Sequence, residues 1–454
     1  MGSFNFLQNK KIGVFGLGIT GVASYAAIRN AAKEIKVWDD KISNREEFAL
    51  KFGPASLSYI ESSEWESLDQ ILLSPGVQLD HRIRAIAKSN NIEIISDIDL
   101  LFDECKSAKF IGITGTNGKS TTTALIYHIL KTAKKDFAMG GNIGVPALAL
   151  PLDKKGYVLE LSSFQLDLTK SFKSNIAVLL NVTPDHLDRY NSLEKYAAAK
   201  EKILSSLNSD GFGIIGVDNE ITGKIFKKFS FNNSKIIPVS SQKNIDHGIS
   251  VIGNKIFDNL QEPTSWDLPG NKSLQGNHNK ENIAASVATC RLFGVGYQEI
   301  LEAIKSFKGL PHRAEYLGIY ENITFYNDSK ATNADAASKS LSFLDNIYWL
   351  AGGVAKEGGI NSLSPLFHKV RKAYLFGDAK NLFAETIKNK VEYEIFENLS
   401  QAFAQAVIDT QKDKSNNKNI LLAPAAASTD QFKNFEHRGE KFRQLFNDLR
   451  EVDE

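Results

Sequence analysis

Gly115-Thr116-Asn117-Gly118-Lys119-Ser120 is the run in this 454-residue chain whose residue types are best matched to a chemical task. Glycines let main-chain N–H groups approach phosphate oxygens, a helix N-terminus favours negative charge, Lys119 adds a cation and Ser120 can ligate magnesium. With Thr121 behind it, the run reads as a nucleotide phosphate loop. It departs from the strict Walker A spacing, which needs glycine at Ile113, where Gly112 stands one place early. A second glycine run, Gly16-Leu17-Gly18-Ile19-Thr20-Gly21, satisfies the dinucleotide fingerprint, and Asp39 ends the next strand where a ribose-binding acid would stand. NAD, FAD and a UDP-sugar all satisfy that pattern, because it reports only a pyrophosphate near a helix N-terminus. Glu160-Leu161-Ser162-Ser163-Phe164-Gln165 and Asn181-Val182-Thr183-Pro184-Asp185-His186-Leu187-Asp188 each follow an apolar run. Glu160 and His186 are oxygen and nitrogen donors suited to magnesium beside nucleotide phosphates.

These residues need a scaffold that delivers loops to one edge. Residues 11–15, 35–38, 70–73 and 92–95 are short β-prone runs, each ended by a turn, and 22–32 has helical periodicity. Such alternation predicts a parallel sheet flanked by helices. Residues 110–114 start a second α/β series, with a helix from about Lys119 and apolar runs at 157–161 and 176–180, so the segment near Cys105 reads as a linker. Residues 193–204 read as a helix soon after His186. The pattern breaks at Gly309-Leu310-Pro311, and a third series follows with strands at 347–350, 373–376 and 420–422 and helices at 399–408 and 439–449. It also contains the polar loop Asn327-Asp328-Ser329-Lys330-Ala331-Thr332-Asn333 after the β-prone 324–326. Residues 412–419 read as a polar surface loop. The expected fold class is α/β in three domains: a Rossmann-like 1–105, a P-loop-like 106–310 with a mostly parallel sheet, and a Rossmann-like 311–454.

Composition is that of an ordinary globular enzyme, 42% hydrophobic and 24% charged, and the net charge of +1 gives no bias toward nucleic acid or membrane. Cys105 and Cys290 are too few for a disulfide framework, which fits a reducing cytosol. Residues 1–11 lack a signal peptide's apolar core, and no run approaches the ~18 apolar residues of a spanning helix. A cytoplasmic, monomeric protein is expected.

Taken in order, these blocks resemble the Mur ligase family across nearly the whole chain. The shared marks are residues 114–120, Gly276-Asn277-His278-Asn279-Lys280-Glu281-Asn282 and Gly309-Leu310-Pro311-His312-Arg313. Residues 160–165, 327–333 and Asp430-Gln431-Phe432-Lys433-Asn434-Phe435-Glu436-His437-Arg438-Gly439 are similar to its D-glutamate-adding members. The resemblance implies ATP-dependent joining of D-glutamate to UDP-N-acetylmuramoyl-L-alanine through an acyl phosphate, for peptidoglycan. It implies UDP-substrate, ATP and amino-acid domains in that order. It gives Lys119 the β- and γ-phosphates, and Asn282, Arg313 and Asp328 the nucleotide. Ser120 and Glu160 would bind one magnesium and His186 a second, with Lys200 carbamylated. Thr332, Lys356, Ser428, Thr429 and Phe435 match the D-glutamate positions. Gly18, Ile19, Thr20, Asp39, Ser74-Pro75-Gly76 and Asn142 match those for the UDP substrate. Nucleotide on the middle domain and amino acid on the last must meet, so domain closure is expected.

The chain departs from the family pattern at Ala423-Pro424-Ala425-Ala426-Ala427-Ser428, at Thr429, at Asp40 and around Gly353-Val354-Ala355-Lys356. Three other readings compete. Another amino-acid ligase of the family is opposed by Asn117, which is histidine in alanine-adding members, and by the N-terminal fingerprint, which polyglutamate synthases lack. A nucleotide sensor without catalysis is opposed by the joint presence of Lys119, Glu160, His186 and Asp328. An NAD-dependent oxidoreductase is tested by nicotinamide binding.

Overall fold

A computed structural model of the protein describes residues 3–231 and 233–451. The outermost residues of the first and third expected domains, and the first two of the stretch read for a signal peptide, lie outside them. Apolar runs become strands, and the helices between them return the chain for parallel pairing. β1 (Lys11–Phe15), β2 (Glu34–Trp38), β3 (Gln70–Leu73) and β4 (Glu93–Ile95) form a parallel sheet in the order β2-β1-β3-β4.

The second sheet holds β5 (Lys109–Thr114), β6 (Phe137–Gly141), β7 (Gly156–Glu160), β8 (Ser174–Leu179), β9 (Leu207–Gly216), β10 (Ile236–Ser240), β11 (Ile249–Ile252), β12 (Lys255–Asp258) and β13 (Thr264–Asp267). Their order is β13-β12-β11-β10-β9-β8-β5-β7-β6, antiparallel only through β11-β12-β13. β14 (Glu315–Tyr320), β15 (Ile323–Asn327), β16 (Ile347–Gly352), β17 (Val370–Phe376), β18 (Glu392–Ile395) and β19 (Lys418–Leu422) make the third, in the order β14-β15-β19-β16-β17-β18. Only β14-β15 is antiparallel there.

The chain divides into two compact units, residues 1–269 with 278–304, and residues 270–277 with 305–454. In the first, the first two sheets share a core in which Val14, Leu72, Leu101, Phe110, Tyr157 and Leu179 are buried. The join is polar as well. Asp99 Oδ1 accepts the N–H groups of Lys170, Ser171 and Phe172 at 3.0, 3.0 and 2.9 Å. Cys105 is buried, with Sγ 3.3 Å from Tyr157 Oη. The segment near Cys105 is therefore packed into the unit and is not a loose linker. In the second unit the strand pleat sends alternate side chains into two cores, Tyr326, Trp349, Leu375 and Leu421 on one face and Phe325, Leu350, Tyr374 and Leu422 on the other.

Two local expectations are corrected. The first helix spans Ile19–Ile28, not 22–32, because Gly18 is its N-cap and Gly21 is already helical. Residues 412–419 are not all loop: Lys418 starts β19 with its ammonium buried on the Thr410 and Asp413 carbonyls at 2.7 and 2.8 Å. Among the described residues, no helix is long and apolar enough to cross a membrane.

Candidate functional site

Strand β5 sits inside the second sheet between β8 and β7, so the loop leaving it meets the loops leaving both neighbours at one carboxyl edge. The helix Lys119–Thr132 begins at the predicted lysine, with Gly118 as N-cap at φ +81°. A Cβ at Gly118 would lie 2.2 Å from Asn282 Oδ1, so close approach and backbone angle both demand glycine. Asn282 is buried, accepts from Thr122 Oγ1 at 3.2 Å and donates to Asn279 Oδ1 at 3.0 Å. Lys119 Nζ folds over the loop onto the Gly115 and Thr116 carbonyls, both at 2.9 Å. Ser120 is buried in the helix's first turn.

Glu160 ends β7 beside this loop. Its Oε1 accepts from Asn142 Nδ2 at 2.8 Å, while Oε2 is buried with no hydrogen-bond partner among the described residues. A buried carboxylate oxygen without a donor suits a divalent cation, so the residues present fit magnesium. His186 lies on the loop after β8, exposed, at φ +51°, with its ring edge-on to Phe164 at 4.9 Å and to Tyr196 at 6.0 Å.

Lys200 lies on the helix Leu193–Ser205 and is 1% exposed. Its Nζ donates to Gly115 O at 2.8 Å and stands 4.6 Å over the Tyr196 ring. Lys119 and Lys200 thus share one carbonyl. Burial, and then the Lys119 charge, push the Lys200 pKa well below the usual lysine range.

The first glycine run divides its labour. A Cβ at Gly16 would lie 2.6 Å from Ser74 Cβ and one at Gly21 1.7 Å from Gly16 O, whereas one at Gly18 would meet nothing within 4 Å. The outer glycines serve packing, and the middle one faces open space at a helix start, next to exposed Ile19 and half-buried Thr20. Ser74 Oγ donates to Gly16 O at 2.7 Å, and Gly76 is open. Asp39 is engaged by the protein itself, accepting from Leu17 N at 2.6 Å, Lys41 N at 2.8 Å and Asn44 Nδ2 at 2.9 Å.

In the second unit, buried Asn327 donates to His312 Nδ1 at 3.0 Å and to Gly439 O at 3.0 Å, anchoring the turn that carries Arg313. Asp328 is buried, accepts from Ala314 N at 3.1 Å and from Ser340 Oγ, and has its pKa raised by burial. Val354 and Ala427 exchange two main-chain hydrogen bonds at 2.8 and 2.9 Å, which ties the loop of Lys356 to that of Ser428 and Thr429. Ser329 Oγ donates to Phe435 O at 2.9 Å, joining the loop of Thr332 to Phe435. Of the five residues expected around D-glutamate, Lys356 thus shares a tie with Ser428 and Thr429, and Thr332 with Phe435 at the start of the helix Phe435–Glu451.

Two residues of the second unit's motifs make contacts that the local sequence does not signal. Lys330 Nζ lies 3.8 Å over the Phe435 ring. Arg438, fully buried, reaches Ser329, Gly352 and Ala426 together. Both fall inside quoted motifs, but their partners lie up to about a hundred residues away.

Comparison with known proteins follows the same outline. The Mur ligase middle domain model matches residues 113–290, and the model described as "Mur ligase, glutamate ligase domain" matches 312–425. A UDP-N-acetylmuramoylalanine--D-glutamate ligase of Rickettsia felis is 53% identical over 97% of this chain and 98% of its own length, and that of Agrobacterium fabrum 40% over 96% and 94%. Among solved structures, UDP-N-acetylmuramate-alanine ligase from Thermotoga maritima shares the fold, with a TM-score of 0.60 and 19% identity over 97% of this chain and all of that one. A phosphate loop on the middle sheet, linked loops on the last and near-complete coverage agree, and the chain belongs to the Mur ligase family.

Proposed function

We propose that the protein joins D-glutamate to UDP-N-acetylmuramoyl-L-alanine at the expense of ATP, in the cytoplasm and as a monomer, for peptidoglycan precursor synthesis. The observation that carries this reading is the convergence of Lys119, Glu160 and Lys200 on the loop edge around β5, in a chain 53% identical to a relative named for that ligation.

The substrate carboxylate attacks the γ-phosphate of ATP, the bond to the bridging oxygen breaks and ADP leaves, giving the acyl phosphate. The acyl phosphate is then attacked by the D-glutamate amine, and phosphate leaves from a tetrahedral intermediate. Phosphoryl transfer depends mainly on positioning and charge neutralisation. Residues 115–121 cradle the phosphates, Lys119 neutralises the transferring group, and Asn282, Arg313 and Asp328 position the nucleotide. Magnesium, when bound, would neutralise phosphate charge, with Ser120 and Glu160 holding one ion and His186 helping to hold a second. Gly18, Ile19, Thr20, Asp39, Ser74, Pro75 and Gly76 hold the UDP end and Asn142 the sugar-linked end. Thr332, Lys356, Ser428, Thr429 and Phe435 select D-glutamate. The test is product analysis with UDP-N-acetylmuramoyl-L-alanine, ATP and a panel of D- and L-amino acids. Ligation of D-glutamate is expected, and preference for another amino acid would overturn the assignment.

Lys200 is proposed to act as a carbamate, since an ammonium cannot ligate magnesium. Carbamate forms from the neutral amine, and the lowered Lys200 pKa enlarges that fraction near neutral pH. Occupancy is therefore expected to fall as pH falls and when bicarbonate is removed. Lys200→Ala is expected to be nearly inactive and to recover partly with short-chain carboxylic acids. Full activity of the untreated variant would reject the carbamate.

The glycines at the first loop make a separable prediction. Gly21→Ala drives a methyl into Gly16 O and is expected to cost more than ~3 kcal/mol in thermal unfolding. Gly18→Ala is expected to cost about 1 kcal/mol or less, the loss at an N-cap, while raising KM for the UDP substrate. A Gly18→Ala enzyme with unchanged KM would move the UDP end elsewhere.

A further inference from the structure

Behind the phosphate loop stand two side chains to which the proposed mechanism gives no task. Asn181, on the loop after β8, turns two oxygens on the phosphate loop: its main-chain O accepts the Thr116 N–H at 2.9 Å, and its Oδ1 accepts the Asn117 N–H at 2.9 Å. A side-chain amide has one oxygen, so holding Asn117 this way requires the nitrogen to face the other side. There Nδ2 donates to Glu281 Oε2 at 3.0 Å, with a longer contact to Asn117 O at 3.3 Å. An ionised carboxylate can only accept, so in that form Glu281 admits one orientation of the amide and excludes the flipped one.

The fold makes room for this arrangement. A Cβ on Gly216 of β9 would lie 2.3 Å from Glu281 Oε1 and 2.1 Å from Leu180 O, so the carboxyl docks where the strand has no side chain. Glu281 also precedes Asn282, the residue packed under Gly118. One helical turn therefore reaches the phosphate loop twice. Burial pushes the Glu281 carboxyl up to about 7, against the Asn181 amide and with the help of Asp218. A carboxyl kept at that cost fits a positioning task better than a stabilising one.

We propose that Glu281 is a positioning residue for nucleotide binding, acting through Asn181, whose amide it orients so that Asn117 is held against the loop after β8, beside the Thr116 N–H that the Asn181 main chain already holds, and the next helix begins where phosphate can reach its first N–H groups. This rests on the phosphate-loop reading, and MgATP binding tests the two separately.

The experiment is MgATP titration by calorimetry on the full chain, with thermal unfolding of each variant. Glu281→Leu leaves the Asn181 amide without its acceptor and is expected to weaken MgATP roughly tenfold, whereas Glu281→Gln, whose carbonyl still accepts, stays within about threefold. Asn181→Asp sets two carboxylates face to face and is expected to lose roughly tenfold or more. The double variant Asn181→Asp with Glu281→Gln reverses donor and acceptor while keeping the pair's total charge, and is expected to recover most of that loss. A purely structural role would move melting temperature and give no such recovery. A double variant no better than Asn181→Asp, or folded Glu281→Leu with unmodified affinity, overturns the relay. Absence of MgATP binding in the unmodified chain overturns the phosphate-loop reading and the relay with it.

Discussion

Lys119→Ala is expected to lower ligation turnover by ~10²-fold or more while the fold survives, because it removes a preorganised cation from the transferring phosphoryl group. Alanine is a good helix former at the start of Lys119–Thr132, and the lost bonds to the Gly115 and Thr116 carbonyls sit at a part-buried edge. A second effect accompanies the first. The Lys119 charge contributes to the lowered Lys200 pKa, so its removal raises that pKa, shrinks the neutral-amine fraction and opposes carbamate formation. Phosphate release at saturating substrates, with circular dichroism as the folding control, measures the outcome. Near-normal turnover in a folded variant would remove Lys119 from the reacting phosphate.

The second large effect is expected at Arg438, the fully buried cation of the second unit. Its Nε donates to Ser329 Oγ at 3.0 Å, Nη2 to Ser329 O at 2.9 Å and Ala426 O at 3.1 Å, and Nη1 to Gly352 O at 3.2 Å. Burial lowers its pKa to about 10, so it remains a cation at neutral pH. Arg438→Met strips several buried carbonyls of their donor and is expected to destabilise the protein by ~3 kcal/mol or more. Arg438→Lys is expected to restore little, since an ammonium lacks the planar fork that spans three loops. Those loops also carry the residues proposed to select D-glutamate, so KM for D-glutamate is expected to rise in any variant that folds. Chemical denaturation and substrate kinetics measure the two effects. An unchanged unfolding midpoint would show that the guanidinium bonds contribute no net stability.

Where chemistry is local in sequence, it was legible. Glycine, lysine and hydroxyl follow one another in residues 115–120, and the helix begins at Lys119 as the residues predict. Strands 70–73 and 347–350 were read from apolar runs that the pleat buries on both faces of parallel sheets. The start at Ile19 was missed because a glycine three residues into a helix reads as a turn, and only the approach of Gly16 O explains Gly21 there. Strands β9 to β13 escaped because residues such as Asp210, Pro238 and Asp267 interrupt their apolar pattern. Asp39 illustrates another limit: its position was read as a ligand contact, but which atoms its carboxylate meets depends on Leu17 and Asn44 in three dimensions. The contacts of Asn282 and Arg438 are longer in range still and leave no local signature.

The long reach of Asn282 has a consequence for the life of the chain before it is complete. Thr122 and the Asn282 side chain it bonds are separated by 160 residues. At ~5–20 residues per second of vectorial synthesis, the phosphate loop emerges from the ribosome on the order of 10–30 s before the helix that closes beneath Gly118. During that interval the residues of β5 and of the helix after it have been made, but the buried amide that fills the space under the N-cap has not. A nascent chain cut short before residue 282 would therefore carry every residue of the glycine-lysine motif and still present it unsupported, so competence for nucleotide arrives late in translation.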